Sequence, residues 1–420
     1  MDNFFIYQTF RRKTGTIFPA LKHKNYRFYF TGQLISLIGT WLQTVAQGWL
    51  VYDLTHSPFL VGLIGAIQFL PILVFGIIGG VLADKLNKQK LLIFTQAISL
   101  ILALALGILT LSGFINIWII GVLAFLLGIV NAIDTPGRQS FTIDLVGRKH
   151  LHSAIALNIG SFNAARVIGP AFAGFLIAKL GVGITFILNG FTFLGPLVAL
   201  STMRLNLAPS KIHHQHPITS IKIGLRYAYR HPIIKTLLLF TMVFSIFGFS
   251  YTTMLPVIAD RVFHQGPFGL GLLFSSAGLG AVMGTVLIAL LHNRYSARQL
   301  LLGGSALFAI SLFIFAFTSN FIFALIMLFI SGVGFASQMA LINTTIQNNT
   351  ENHLRGRVMS IFTTCLLGMQ PIGNLQIGYL SEHLGSRPAI AIGATIVLLF
   401  STYLYFTFTK LENIEYSAIT

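Results

Sequence analysis

PFLVGLIG (Pro58–Gly65) and PFGLGLLF (Pro267–Phe274) lie 209 positions apart, and the same gap-free alignment sets Asp84-Lys85 against Asn293-Arg294. Proline, phenylalanine, glycine and a charged turn fall in register at the ends of two apolar stretches. The register predicts two halves of the same orientation, the arrangement in which one bundle can rock against the other.

Outward from this pair, apolar runs of about 20 residues, the length a helix needs to cross a bilayer, recur along the chain. Of its 420 residues 55% are hydrophobic and 9% charged, too little charge to cover a soluble surface. The runs predict spans at 26–52, 58–82, 91–112, 116–136, 153–179, 183–203, 235–257, 268–291, 298–318, 321–344, 356–380 and 387–409. The longest polar connection, 204–234, separates two sets of six. The expected fold is an all-α polytopic membrane protein, twelve transmembrane helices in two pseudo-symmetric six-helix halves. Its expected parts are a tail 1–25, a first half 26–203, a central loop 204–234, a second half 235–409 and a tail 410–420. The amino end does not read as a signal peptide, because apolar Phe4 to Ile6 precede basic Arg11 to Lys13.

Twelve spans put both termini on one side. On this layout 23 of the 27 Lys and Arg residues fall on that side, which predicts that it is cytoplasmic. The formal charge of +17 thus has a membrane explanation, and no nucleic-acid partner is expected. Single Cys365 gives no disulfide framework or cysteine metal cluster. No phosphate-binding GxxxxGK[ST] occurs. No span carries a His/Glu metal pair, and the His213–His216 cluster falls in the central loop. The chain is therefore not expected to be an enzyme or to hold a metal or cofactor. Nor does it show the charged ring of a channel.

Polar residues inside the spans are the candidate site. In span 1, Gln33, Ser36, Thr40, Gln43 and Gln47 are spaced 3, 4, 3 and 4, one stripe of a helix. A polar stripe faces either a watery cavity or another helix. Span 4 closes with Asn131, Thr135 and Arg138 on one face, and Asp134 and Arg138 form an i, i+4 pair. That pair is either a surface ion pair or a proton site, with Asp53 as a second coupling candidate. Span 6 has Thr185, Asn189 and Thr192, span 10 has Gln338, and span 11 has Gln370 and Asn374. In span 5, Asn163 precedes Arg166 by one turn. A mid-span arginine costs roughly 2.5–3.5 kcal/mol on insertion scales and needs a counterpart. Two remain open: a carboxylate such as Asp134, or an anionic substrate gripped by the guanidinium fork. Pro170 is expected to bend span 5, and Gly160, Gly169 and Gly174 to admit a neighbouring helix.

The turn GGVLADKLNKQK (Gly79–Lys90) is the candidate gate: Gly80 for close contact, with Asp84, Lys85 and Lys88 as polar contacts, joined by Asn293-Arg294 of the repeat and by the Gly169-Pro170 sliding surface. Gly80, Asp84, Lys85 and Lys88 resemble the loop signature of the major facilitator superfamily, with Asn87 and Gln89 departing from it. Gly160, Gly169, Pro170 and Gly174 are similar to that superfamily's antiporter motif. Asp134–Gly174, Gly224–Leu239 and Leu354–Leu380 resemble the branch of bacterial exporters related to the enterobactin exporter, apart from Glu351, where that branch has proline. The resemblance implies a secondary active exporter in the bacterial inner membrane. It would move a small polar or anionic metabolite, a siderophore in the sharpest form, in exchange for protons. Multidrug efflux is the alternative, although no acidic residue lies mid-span to receive a lipophilic cation. Twelve spans suffice for a monomer.

Overall fold

The computed structural model describes residues 18–205 and 217–419, and helix dominates them. Eleven helices among the described residues are long and apolar enough to cross a bilayer. Their starts follow from local chemistry. Ser57 accepts from the Leu60 N–H and Pro58 opens span 2 (Pro58–Lys85); Asn87 caps span 3 (Lys88–Leu111). Ser296 and Gln299 form a reciprocal capping box on span 9 (Ala297–Phe317), and Asn320 caps span 10 (Phe321–Asn348). Each satisfies amide donors left over at a helix end.

The twelfth crossing lies within a helix of 64 residues, Ile117–Leu180. About 96 Å of helix is far more than one bilayer thickness, and the chain turns at Gly147, with φ 68° and ψ 168°. That left-handed φ suits glycine because it has no Cβ to clash. Limb 117–146 is span 4 and limb 148–180 is span 5. The sequence-based boundaries end span 4 at 136, but the helix continues well past it. Phe141, Leu145 and Val146 bury one face against Tyr26, Tyr29 and Leu92, and that packing sustains the extra turns. Span 5 keeps helical backbone through Pro170, so the break lies at Gly147 and not at the proline.

The remaining spans are Lys24–Thr55 (span 1), Val182–Thr202 (span 6), Pro232–Arg261 (span 7), Gly266–Leu291 (span 8) and Arg355–Leu384 (span 11). Ser386–Ile419 contains span 12. A separate amphipathic helix, Pro217–Arg230, precedes span 7. His213–His216 of the central loop and residues 1–17 of the first tail lie outside the described residues.

The two halves meet along spans 2 and 11 and along spans 5 and 8. A Cβ on Gly62 would lie 2.9 Å from the Gly378 Cα, and one on Gly271 would lie 3.0 Å from the Gly174 Cα. Gly62 and Gly271 are the same position of the sequence repeat. Each crosses a glycine on the fifth helix of the opposite half, where any larger residue would push the helices apart.

Call the end of the bundle that carries both termini the terminal end. At the far end the halves are tied by polar contacts. The Tyr52 hydroxyl donates to Asp260 at 3.3 Å, and the Arg261 Nε donates to the Tyr52 oxygen at 2.9 Å. The Arg261 guanidinium also donates to the His56 carbonyl. Glu382 of span 11 accepts from the Ser57 hydroxyl at 2.9 Å and from the Phe59 N–H at 3.0 Å. It thereby joins Ser57 in capping the first turn of span 2 from the other half.

Candidate substrate cavity

Between the halves lies a cavity of about 600 Å³. It runs from the far-end seal toward Tyr29, Phe30, Gln139 and Thr142 at the terminal end. Span 1 lines it with Gln33, Thr40, Gln43 and Gln47, and span 4 with Asn131, Thr135 and Arg138. Span 5 contributes Arg166, and span 11 contributes Gln370 and Asn374. Trp41, Phe162, Phe249 and Phe274 supply aromatic wall. Spans 7 and 11 each carry a wide turn beside it, at Phe244–Gly248 and Thr364–Gly368, and the Ser245 hydroxyl donates to the Leu366 carbonyl at 2.7 Å between them. Such turns shift the register of a helix and re-aim the side chains that follow.

Two arginines reach this cavity. Arg138 pairs with Asp134, which is 1% exposed. The other Asp134 oxygen accepts from the Thr95 hydroxyl at 2.6 Å and from the Gln96 amide at 2.9 Å. Both carboxylate oxygens are thus engaged, as a buried charge requires. Arg166 is different. Its guanidinium sits over the Phe335 ring, 4.8 Å from the centroid, a favourable but weak seat for a cation. Among the described residues no carboxylate pairs with it. Asp134, one of its two expected counterparts, is occupied by Arg138.

A family model for transmembrane secretion effectors matches residues 15–419 of this sequence. The chain belongs to that family of major facilitator transporters. Family members are transporters and not enzymes. The staphyloferrin A transporter of Staphylococcus aureus is 26% identical, over 92% of this chain and 97% of its own. The enterobactin exporter EntS of Shigella boydii is 25% identical, over 89% and 90%. The multidrug efflux pump Tap of Mycolicibacterium fortuitum is 24% identical, over 86% and 92%. A bacterial homologue of the human lysosomal transporter Spinster, solved in an inward-facing, unoccupied conformation, superposes with a TM-score of 0.74. It is 15% identical and covers 90% of this chain and 95% of its own. The likeness extends the family's fold to known structures.

Within this secretion-effector fold the polar stripe of span 1 divides. The Gln43 carbonyl accepts from Asn189 of span 6 at 2.5 Å, and the Gln47 amide donates to Gln68 of span 2 at 3.2 Å. Thr40 returns its hydroxyl to the Ser36 carbonyl. Gln33 is only 9% exposed, and among the described residues neither its amide nitrogen nor its carbonyl oxygen has a hydrogen-bond partner. Asn374 accepts from Thr253 at 2.8 Å.

Other expected positions fall elsewhere. Gln338 is fully buried and accepts from Ser305 at 2.7 Å, joining spans 9 and 10 away from the cavity. Asn163 is half-buried and does not line the cavity, and Asp53 is exposed beyond it at the far end. In the candidate gate, Lys88 pairs with Asp144 at 2.8 Å within the first half. Lys85, Asn293 and Arg294 are exposed, and the Asp84 side chain lies outside the described residues. Close helix approach falls on Gly79, against the Ala132 backbone, whereas the space around Gly80 is open. Likewise Gly169 and Gly174 pack tightly, against span 1 and span 8, and Gly160 does not.

Sequence reasoning passed over Gln68, Thr95, Gln96, Ser99 and Phe335. Thr95 and Ser99 are one helical turn apart, with Gln96 beside them, in a mostly apolar span, a signal that was present. Phe335 carries no such mark; only the fold sets its ring under Arg166.

Proposed function

We propose that this protein is a secondary active exporter of a small polar or anionic metabolite, a siderophore, and that it works by alternating access. The observation that carries the reading is Arg166: a permanent cation on a cavity wall, between the two halves, with an aromatic seat and no carboxylate counterpart among the described residues. A substrate carboxylate would supply the missing charge and two acceptors for the planar fork. Unpartnered Gln33 would offer a donor and an acceptor to the same molecule. The names of the staphyloferrin A and enterobactin relatives support this substrate class.

The terminal end, where the basic residues gather, is the cytoplasmic end of a bacterial inner-membrane protein on this reading. The cavity then loads from the cytoplasm, and release outward requires the far-end contacts to part. Protons are the coupling ion and Asp134 is their acceptor. Protonating Asp134 would free Arg138 of its counter-charge, and deprotonation would draw it back. The exposed gate residues Lys85, Asn293 and Arg294, with Lys88, Asp84 and the close-packed Gly169-Pro170 segment, are the elements that rearrange. Multidrug efflux is the second reading, favoured by the aromatic wall of Trp41, Phe162, Phe249 and Phe274 and by the Tap relative.

The test is chemical. A deletion strain and its complemented parent are grown without iron, and chelators in medium and cells are measured by mass spectrometry. Loss of one chelator from the medium with retention in the cells is the expected result. An unchanged profile would remove the siderophore reading and leave drug efflux.

A further inference from the structure

The helix Pro217–Arg230 lies outside the cavity and plays no part in the site above. It ends two residues before span 7 begins at Pro232, which sets its carboxyl end near the bilayer boundary. One face is docked: Gly224 sits against Arg357 and Ile361 of span 11, Ala228 is buried, and the Tyr227 hydroxyl donates to the Asn349 carbonyl at 3.3 Å. The other face is free and ordered by chemistry. Lys222, Arg226 and Arg230 are exposed and spaced four apart, so they form one stripe about 12 Å long. Beside that stripe Leu225 and Tyr229 are 56% and 71% exposed. Lys235, on the first turn of span 7, sits 4.2 Å over the Tyr229 ring and adds a fourth cation. None of these four has a carboxylate partner among the described residues.

A topological bias needs only a count of positive residues near the membrane. It does not require them in register, or an apolar ridge alongside. Both are features of a helix lying in an interface, with cations at phosphate level and apolar side chains in the acyl layer. We propose that this helix binds the headgroups of anionic phospholipids. Lys222, Arg226 and Arg230 hold the phosphates while Leu225 and Tyr229 enter the acyl layer. Because the docked face rests on spans 10 and 11, bound lipid fixes the height of the second half in the bilayer.

The full-length protein is purified in mild detergent, exposed to equal phosphatidylglycerol and phosphatidylcholine, and examined intact by native mass spectrometry. Each interfacial Lys or Arg adds about fivefold to attraction for an anionic surface. The K222Q/R226Q/R230Q variant should therefore lose retained phosphatidylglycerol at least tenfold, with phosphatidylcholine unchanged. Equal phosphatidylglycerol retention by wild type and variant would overturn the proposal, as would displacement of the lipid from wild type by inorganic phosphate at matched concentration. Should the variant fold poorly, R226Q alone, checked for an unaltered melting curve in detergent, should still lose severalfold; no loss there overturns it equally.

Discussion

Arg138 and Arg166 face the same cavity and are treated in opposite ways. Arg138 has a buried carboxylate one turn away, itself held by two further donors. Arg166 has the face of Phe335 and, among the described residues, no carboxylate. The first arrangement is complete within the chain. The second carries the cost of placing a cation in the membrane without the return a counter-ion would give. A charge left in that condition, on the wall of a cavity between the two halves, suits a transporter whose ligand must come and go.

The sharpest way to break this contrast is to remove Arg166. Arg166→Ala should lower export of the anionic substrate by at least about 30-fold, since losing one side of a desolvated charge pair costs about 2–5 kcal/mol. The protein should remain in the membrane at normal amounts, measured by quantitative blotting beside the flux. Flux at the wild-type level would mean that Arg166 only packs on Phe335.

Asp134→Asn attacks the other member. Arg138 would keep its charge and lose its counter-charge, so the detergent-solubilised protein should be destabilised by about 3–5 kcal/mol, read as a lower melting temperature. Adding Arg138→Gln should restore part of that loss. Transport that survives in the double variant should no longer respond to a proton gradient. A gradient response that persists would exclude Asp134 as the proton acceptor.

Much of this arrangement was legible beforehand, and the illegible parts have a common cause. The Pro58/Pro267 repeat exposed the two halves, because a copied helix keeps its glycine register, and Gly62 and Gly271 are where those helices cross. The Asp134–Arg138 pair was legible because both members lie on one helix, one turn apart. What failed depended on contacts between helices. Choosing Gly79 over Gly80 requires knowing how span 2 is rotated about its axis. Assigning Gln43 to Asn189 requires knowing that spans 1 and 6 adjoin. Phe335 is one of 38 phenylalanines and is distinguished only by what stands above it.

Gln33 offers the finest adjustment of the contrast. Both polar atoms of its amide are buried without hydrogen-bond partners among the described residues, a desolvation cost of about 1–3 kcal/mol. Gln33→Leu should therefore leave the melting temperature unchanged or raise it, and weaken substrate affinity severalfold in a binding assay. A fall in stability with unaltered affinity would assign the amide to packing.

The clasp made by Glu382 has a consequence of its own. It binds one half to the other by borrowing amide and hydroxyl donors at the first turn of span 2, at the rim of the bundle where water is at hand. Should the halves part as the proposed alternating access requires, solvent can take the place of each partner at once, so the exchange is nearly even in free energy. A fastening of the same strength in the hydrocarbon layer would leave bare polar groups on opening and would behave as a lock. At the rim it would serve the proposed cycle as a latch: firm enough to define a closed state, and weak enough to release each time.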